Sequence, residues 1–115
     1  MASTQDYQTI VKDLFDELAE VIRNQSSPRP DVAETICVMD HHAGNYLVVR
    51  YGWRDGRRVR GVSLFLRVQD ERVFVEEDMT DWDVVERLVE RGVAPENIIL
   101  AWQSAEATAA EAVVA

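Results

Sequence analysis

The dipeptide Asp55-Gly56 stands between two long runs of strand-forming residues, NYLVVRYGW before it and RRVRGVSLFLRV after it. Few features limit a fold so tightly. A two-residue turn of this composition takes positive φ at both positions, matches the right-handed twist of its strands and fixes their pairing residue by residue. The register sets Arg54 across from Arg57, Trp53 from Arg58, Gly52 from Val59, Tyr51 from Arg60 and Val49 from Val62. Side chains alternate along a strand. One face of the hairpin therefore carries Leu47, Val49, Val62 and Leu64, the expected core. Toward the turn the same face continues as Tyr51 with Arg60 and Trp53 with Arg58, aromatic–guanidinium pairs of about 0.5–1 kcal/mol each at exposed sites. The other face carries Tyr46, Val48, Val59 and Phe65, with Arg50 beside Gly61. It is also half apolar, so a cover is expected there, either the C-terminal tail or a second protomer.

The rest of the chain arranges itself around this hairpin. Tyr7, Ile10, Val11, Leu14, Phe15, Leu18, Val21 and Ile22 recur at helical spacing within residues 4–24, giving one apolar stripe. Ser3 or Thr4 can cap that helix, with Asp6 in its first turn. NQSSPRP ends it, because Pro28 and Pro30 cannot continue a helix. Residues 32–40 read as a first strand, DHHAGN as a turn, 45–53 and 57–68 as the hairpin strands, QDE as a turn and 72–77 as a fourth strand. Thr80 is placed to cap a second helix, with Asp83 completing a capping-box-like pattern and Gly92 as its C′ residue. NIILAW, residues 97–102, reads as a last buried strand whose edge of attachment the sequence leaves open. The expected fold is α+β: an N-terminal helix, a four-stranded antiparallel meander, a second helix and a final strand in one sheet. It forms one domain over residues 1–115, with an ordered core at about 4–103 and an alanine-rich tail at 104–115.

Charge narrows the function. Twenty-one Asp and Glu against twelve Lys and Arg give a formal net charge of −9. Extensive phosphate binding needs many cations to displace counterions, and this chain supplies few. A basic partner protein is at least as compatible with this charge. Five of the arginines nevertheless lie within twelve residues, RYGWRDGRRVRG. If Arg58 and Arg60 stack on aromatic neighbours, Arg50, Arg54 and Arg57 remain for outside contacts. One cysteine, no apolar run of membrane-spanning length and no signal-peptide pattern lead to the expectation of a cytoplasmic protein that does not enter a membrane.

No catalytic or cofactor motif emerges. Asp40-His41-His42 lies on a turn without the ligand spacing of a zinc or iron site, so no metal is expected. Glu76, Glu77, Asp78, Asp81 and Asp83 could imitate a hydrolytic metal site, but Glu76 and Glu77 alternate to opposite faces of a regular strand. Asp81 and Asp83 belong at a helix start, where negative charge is favourable. Cys37 reads as a buried structural thiol. The expectation is a protein without catalytic residues or cofactors. Direct DNA binding through the arginine hairpin and metal-dependent hydrolysis near Asp78 stand as alternatives.

The order and spacing of the weaker pieces carry one more reading. DHHAGNY, LVVRYGW, RRVRG, RVFVEEDMT, LVERGV and APENIILAW follow each other as in the XisI family, the fdxN element excision controlling factor proteins, and the chain resembles that family from its first helix to about Trp102. The resemblance implies an accessory factor in programmed DNA-element excision. It also implies an XisH-like partner, a protein resembling endonuclease-fold chains, with self-association as a further expectation. Phe65 stands where many relatives carry a histidine, and Thr80-Asp81 replaces a Thr-Glu pair. Arg50, Arg54, Arg57 and Phe65 are the expected partner contacts.

Overall fold

The computed structural model describes residues 3–25 and 33–103. Its elements are α1 (Thr4–Gln25), β1 (Glu34–Asp40), β2 (Asn45–Arg54), β3 (Arg57–Gln69), β4 (Arg72–Asp78), α2 (Val84–Glu90), a single 3₁₀ turn at Pro95–Asn97 and β5 (Ile98–Leu100). The sheet runs β1-β2-β3-β4-β5. The first four strands form the expected antiparallel meander, and β5 joins β4 in parallel after the α2 crossover. The expected loop around Pro28 and Pro30 and the tail from residue 104 lie outside the described residues.

Helix α1 starts on a reciprocal cap. The Ser3 backbone N–H donates to Asp6 Oδ2 at 2.9 Å, and the Asp6 N–H donates to Ser3 Oγ at 3.1 Å. Bonding from Ser3, its backbone N–H first and its hydroxyl second, holds the Asp6 carboxyl below its ordinary pKa. Thr4 serves elsewhere: its Oγ1 accepts from the Glu71 N–H at 2.6 Å and ties the helix start to the β3–β4 turn. Tyr7, Val11, Leu14, Phe15 and Leu18 of the expected stripe are buried against one face of the sheet, Ile10 and Ile22 pack against the margin of this core, and Val21, expected in the stripe, is 46% exposed.

That inner face differs from the one expected. Leu64 is in the core, but its companions are Tyr46, Val48, Leu66 and Val68, all buried. Leu47, Val49 and Val62 lie on the opposite face, and Val62 is 39% exposed. The tip register is as expected from Arg54↔Arg57 to Val49↔Val62; then it shifts, and Val48 pairs with Leu64. The extra residue is Ser63. One inserted residue changes which face every later side chain of β3 occupies. Leu64 thereby joins the Val48 face, and the apolar content of β2 and β3 becomes consistent with one helix-covered side.

A second bulge, between Phe65 and Leu66, revises the acidic strand end. Glu77 pairs with Phe65, and Glu76 reaches Arg67 at 3.7 Å. Both associate with outer-face residues, instead of alternating across a regular strand.

Helix α2 begins at Val84, four residues beyond the expected cap Thr80. Asp83 is its N-cap residue but sits in the left-handed region, φ 53°, and makes no side-chain capping bond. Thr80 is held by the strand end instead: Asp78 Oδ1 accepts both its N–H, at 2.9 Å, and its hydroxyl, at 2.6 Å. The far end follows expectation. Gly92, φ +108°, donates to the Val89 carbonyl and Val93 to that of Leu88, the paired bonds of a Schellman stop.

β5 is shorter than expected and only half-buried. Asn97 belongs to the preceding turn, where its Nδ2 donates to the buried Tyr7 hydroxyl at 2.8 Å. The Ala101 N–H makes the last bond to β4, and Trp102 turns away with half its surface exposed.

Candidate functional site

The β2–β3 hairpin places the expected contact residues on two different faces. Asp55 and Gly56 adopt φ 51° and 77°, the expected tight turn. Strand alternation then puts Arg50 and Arg54 of β2, with Arg57 of β3, on the inner side, past the region α1 covers. Phe65 lies on the outer side, opposite Leu47. The structure therefore groups the three arginines and separates Phe65 from them. Arg54 and Arg57 are exposed neighbours of like charge at the tip, with no bonded partner among the described residues.

One of the two expected aromatic pairs forms. The Arg58 guanidinium lies 5.8 Å from the Trp53 ring centre, and its Nη1 donates to the Gly52 carbonyl at 3.4 Å. Tyr51 does not stack on Arg60. Its hydroxyl donates across the other strand boundary to Glu34 Oε2 at 2.9 Å, which raises the tyrosine pKa. A pairing unseen in the sequence lies farther along: Arg67 sits 4.6 Å over the Phe74 ring.

The outer face is the largest apolar surface of the sheet that no described element covers. Ile36 and Val38 of β1, Tyr51 and Trp53 of β2 and Val62 of β3 are 39–53% exposed there. Leu47, Val49 and Phe65 continue the patch as partly exposed residues. Sequence reasoning missed the β1 contribution because it left β1 without a register. Both helices pack on the other side, in one cluster with Tyr46 and Leu64.

On the inner side, a cavity of about 540 Å³ opens beside Arg50. Thr35, Ser63, Thr80, Asp81 and Trp82 share its wall with Arg50. The 79–82 segment is brought there by the Met79 N–H, which donates to the Ser63 carbonyl at 2.7 Å. The bulge that shifts the core face thus also anchors the cavity's rim.

The other sequence candidates dissolve into structure. His41 Nδ1 lies 2.7 Å from the Tyr46 hydroxyl, which donates to the Gln8 carbonyl at 3.2 Å. Burial, aided by the Asp40 charge, pushes the Tyr46 pKa up to about 12. Cys37 is half-buried rather than buried, and desolvation raises its pKa, which disfavours the thiolate. Among the described residues no three His, Cys, Asp or Glu side chains converge to hold a metal. No helix among them is long and apolar enough to cross a membrane.

Comparison with known proteins places this geometry. The family model described as XisI protein matches residues 1–112. The chain belongs to the XisI family. Two solved structures from Anabaena variabilis share its fold. One, the fdxN element excision controlling factor XisI, is 23% identical with a TM-score of 0.67, over 82% of this chain and 86% of its own. The other, a XisI-like protein, is 24% identical with a TM-score of 0.72, over 85% of each chain. No curated protein gives a significant match.

The XisI-like segment DHHAGNY has a structural role here. Asp40 closes the β1–β2 turn, its carboxylate accepting from Ala43 and its carbonyl from Gly44. Gly44, φ +79°, leaves no room for a side chain: a Cβ there would lie 2.6 Å from the Val68 carbonyl oxygen. Tyr46 packs its ring 5.6 Å from that of Phe15 and bonds to α1. Trp53 of the Gly-Trp pair is different, since it faces outward and is 53% exposed.

Proposed function

We propose that this XisI-family protein is a non-catalytic accessory factor of programmed DNA-element excision. It acts by binding a partner protein, an XisH-like chain, through the outer face of its sheet. The observation that carries this reading is the continuous apolar surface formed by Ile36, Val38, Tyr51, Trp53 and Val62 on a rigid five-stranded scaffold. Contiguous exposed apolar patches mark interaction surfaces, and Trp and Tyr are the residues most often dominant in binding energy. The cation on Trp53 and the ion pair of Arg67 with Glu76 supply polar margins to it. A net charge of −9 favours a basic partner. Phe65 belongs to this surface, whereas Arg50, Arg54 and Arg57 do not.

Co-expression with the product of the adjacent gene tests the proposal. A stable complex at micromolar concentration is expected, and its absence would count heavily against the reading. Sedimentation of the protein alone tests whether a second copy occupies the same face.

Direct DNA contact is the second reading. It rests on Arg54 and Arg57 standing exposed and unbonded at the hairpin tip. It requires binding that weakens with salt and is lost in the double variant Arg54→Ala/Arg57→Ala.

A further inference from the structure

The cavity beside Arg50 has the makings of a ligand site that is independent of the partner surface. Its volume, about 540 Å³, falls within the range of small-molecule pockets. Its wall is polar in an unusual way. Thr35, Arg50, Ser63 and Asp81 all line it, and none of their side chains has a hydrogen-bond or ion-pair partner among the described residues. Arg50 is half-buried as a residue and lines the cavity with no anion paired to it among the described residues. Asp81 lines the same cavity yet forms no ion pair with Arg50. The two opposite charges thus line one cavity without pairing, together with a hydroxyl from β1 (Thr35) and one from β3 (Ser63).

Apolar surface completes the wall. Val48 is fully buried, Met79 is exposed and the Trp82 ring packs partly against the core. The rim is fixed rather than loose: Met79 is bonded to the Ser63 carbonyl, and Asp78 holds Thr80 through two bonds to one carboxylate oxygen. The polar groups are thus set before any ligand arrives, which lowers the cost of binding.

We infer that this cavity binds a small organic acid bearing an α-hydroxyl or α-amino group. A planar guanidinium matches a carboxylate through two parallel N–H···O bonds. The hydroxyls of Thr35 and Ser63 add donors to the same end. The ligand's hydroxyl or amino group donates to Asp81, whose negative charge also discriminates against a second anionic group. A short aliphatic body lies against Met79 and Trp82. Occupancy would neutralise Arg50 and give the protein a small-molecule input separate from its partner face.

The test is a titration of the full chain with short α-hydroxy and α-amino acids, read from the Trp82 indole N–H resonance, assigned with Trp82→Phe. Unsubstituted propionate and inorganic phosphate are run beside them. At least one substituted acid is expected to give a saturable shift below about 10 mM. Arg50→Gln should weaken that binding roughly tenfold or more, the loss of one charge-assisted pair. Ser63→Ala, a milder change, should weaken it severalfold while leaving the amide spectrum folded. Asp81→Asn should erase the advantage of the substituted acids over propionate. No saturable shift from any acid overturns the inference, as does equal binding by wild type and Arg50→Gln. Phosphate binding in place of the carboxylates overturns the ligand class.

Discussion

The two faces of the sheet are built from the same residue types and end in opposite states. On the inner face Tyr46, Val48, Leu64, Leu66, Val73 and Val75 are fully buried beneath α1 and α2. On the outer face Ile36, Val38, Val62, Tyr51 and Trp53 keep 39–53% of their surface in contact with solvent. Hydrophobicity alone does not decide which face becomes core. Helix coverage and register decide it, and register here depends on one inserted residue, Ser63. The outer face then retains unspent hydrophobic surface, which is what a binding face needs.

Substitutions can break this comparison. The largest contrast should come from Leu66→Ala against Val38→Thr. The first creates a cavity in the inner layer and should cost about 2–5 kcal/mol in chemical unfolding. The second changes an outer residue already 43% exposed and should stay within about 0.5 kcal/mol. Equal losses would mean that the outer face is covered as tightly as the inner one. Gly44→Ala should follow at about 2 kcal/mol or more, combining the positive-φ penalty with a clash on the Val68 carbonyl. A neutral effect there would show that the β1–β2 turn does not seat against β3 as described.

Tyrosine ionisation sharpens the same contrast without mutating the core. Tyr46 keeps its proton up to about pH 12, whereas an unfolded tyrosine loses it near 10. Its folded pKa is raised, so the stability it contributes is complete below pH 10 and is lost as pH rises through about 12. Alkaline difference spectra should show a late-titrating tyrosine that Tyr46→Phe removes. Titration of that tyrosine at pH 10 would contradict its burial. The smallest effect expected is that of Arg58→Ala, which removes one exposed stack on Trp53 worth about 0.5–1 kcal/mol. A loss of several kcal/mol would mean that the hairpin tip is part of the core.

Much of this was readable from the chain. The α1 stripe up to Leu18, the four meander strands, the Asp55-Gly56 turn, the tip register and the Gly92 stop all follow from local chemistry that tertiary contacts do not override. The inner face was not readable, because a bulge leaves no compositional mark: VSLFL reads as regular strand whether Ser63 pairs or protrudes. The start of α2 was misplaced for a related reason. Thr80 has the chemistry of a helix cap, but Asp78, two residues earlier, holds it in the strand-end turn. The arginines of the candidate site were visible as a group through the tip register, but Phe65 was placed on their face. Their separation from Phe65 depends on the Ser63 bulge, and the cavity beside Arg50 needs the 79–82 segment to fold back onto β3.

The central claim is that the outer face, not the arginine tip, receives the partner. Affinity for the proposed XisH-like partner, measured with Val62→Glu and with Arg54→Ala/Arg57→Ala, tests it most directly. A buried charge at an interface centre costs several kcal/mol, so Val62→Glu should weaken binding by roughly a hundredfold or more with the fold intact. The arginine pair, exposed on the other side, should change it by less than about threefold. Unchanged binding by Val62→Glu, or loss confined to the arginine variant, would contradict the account.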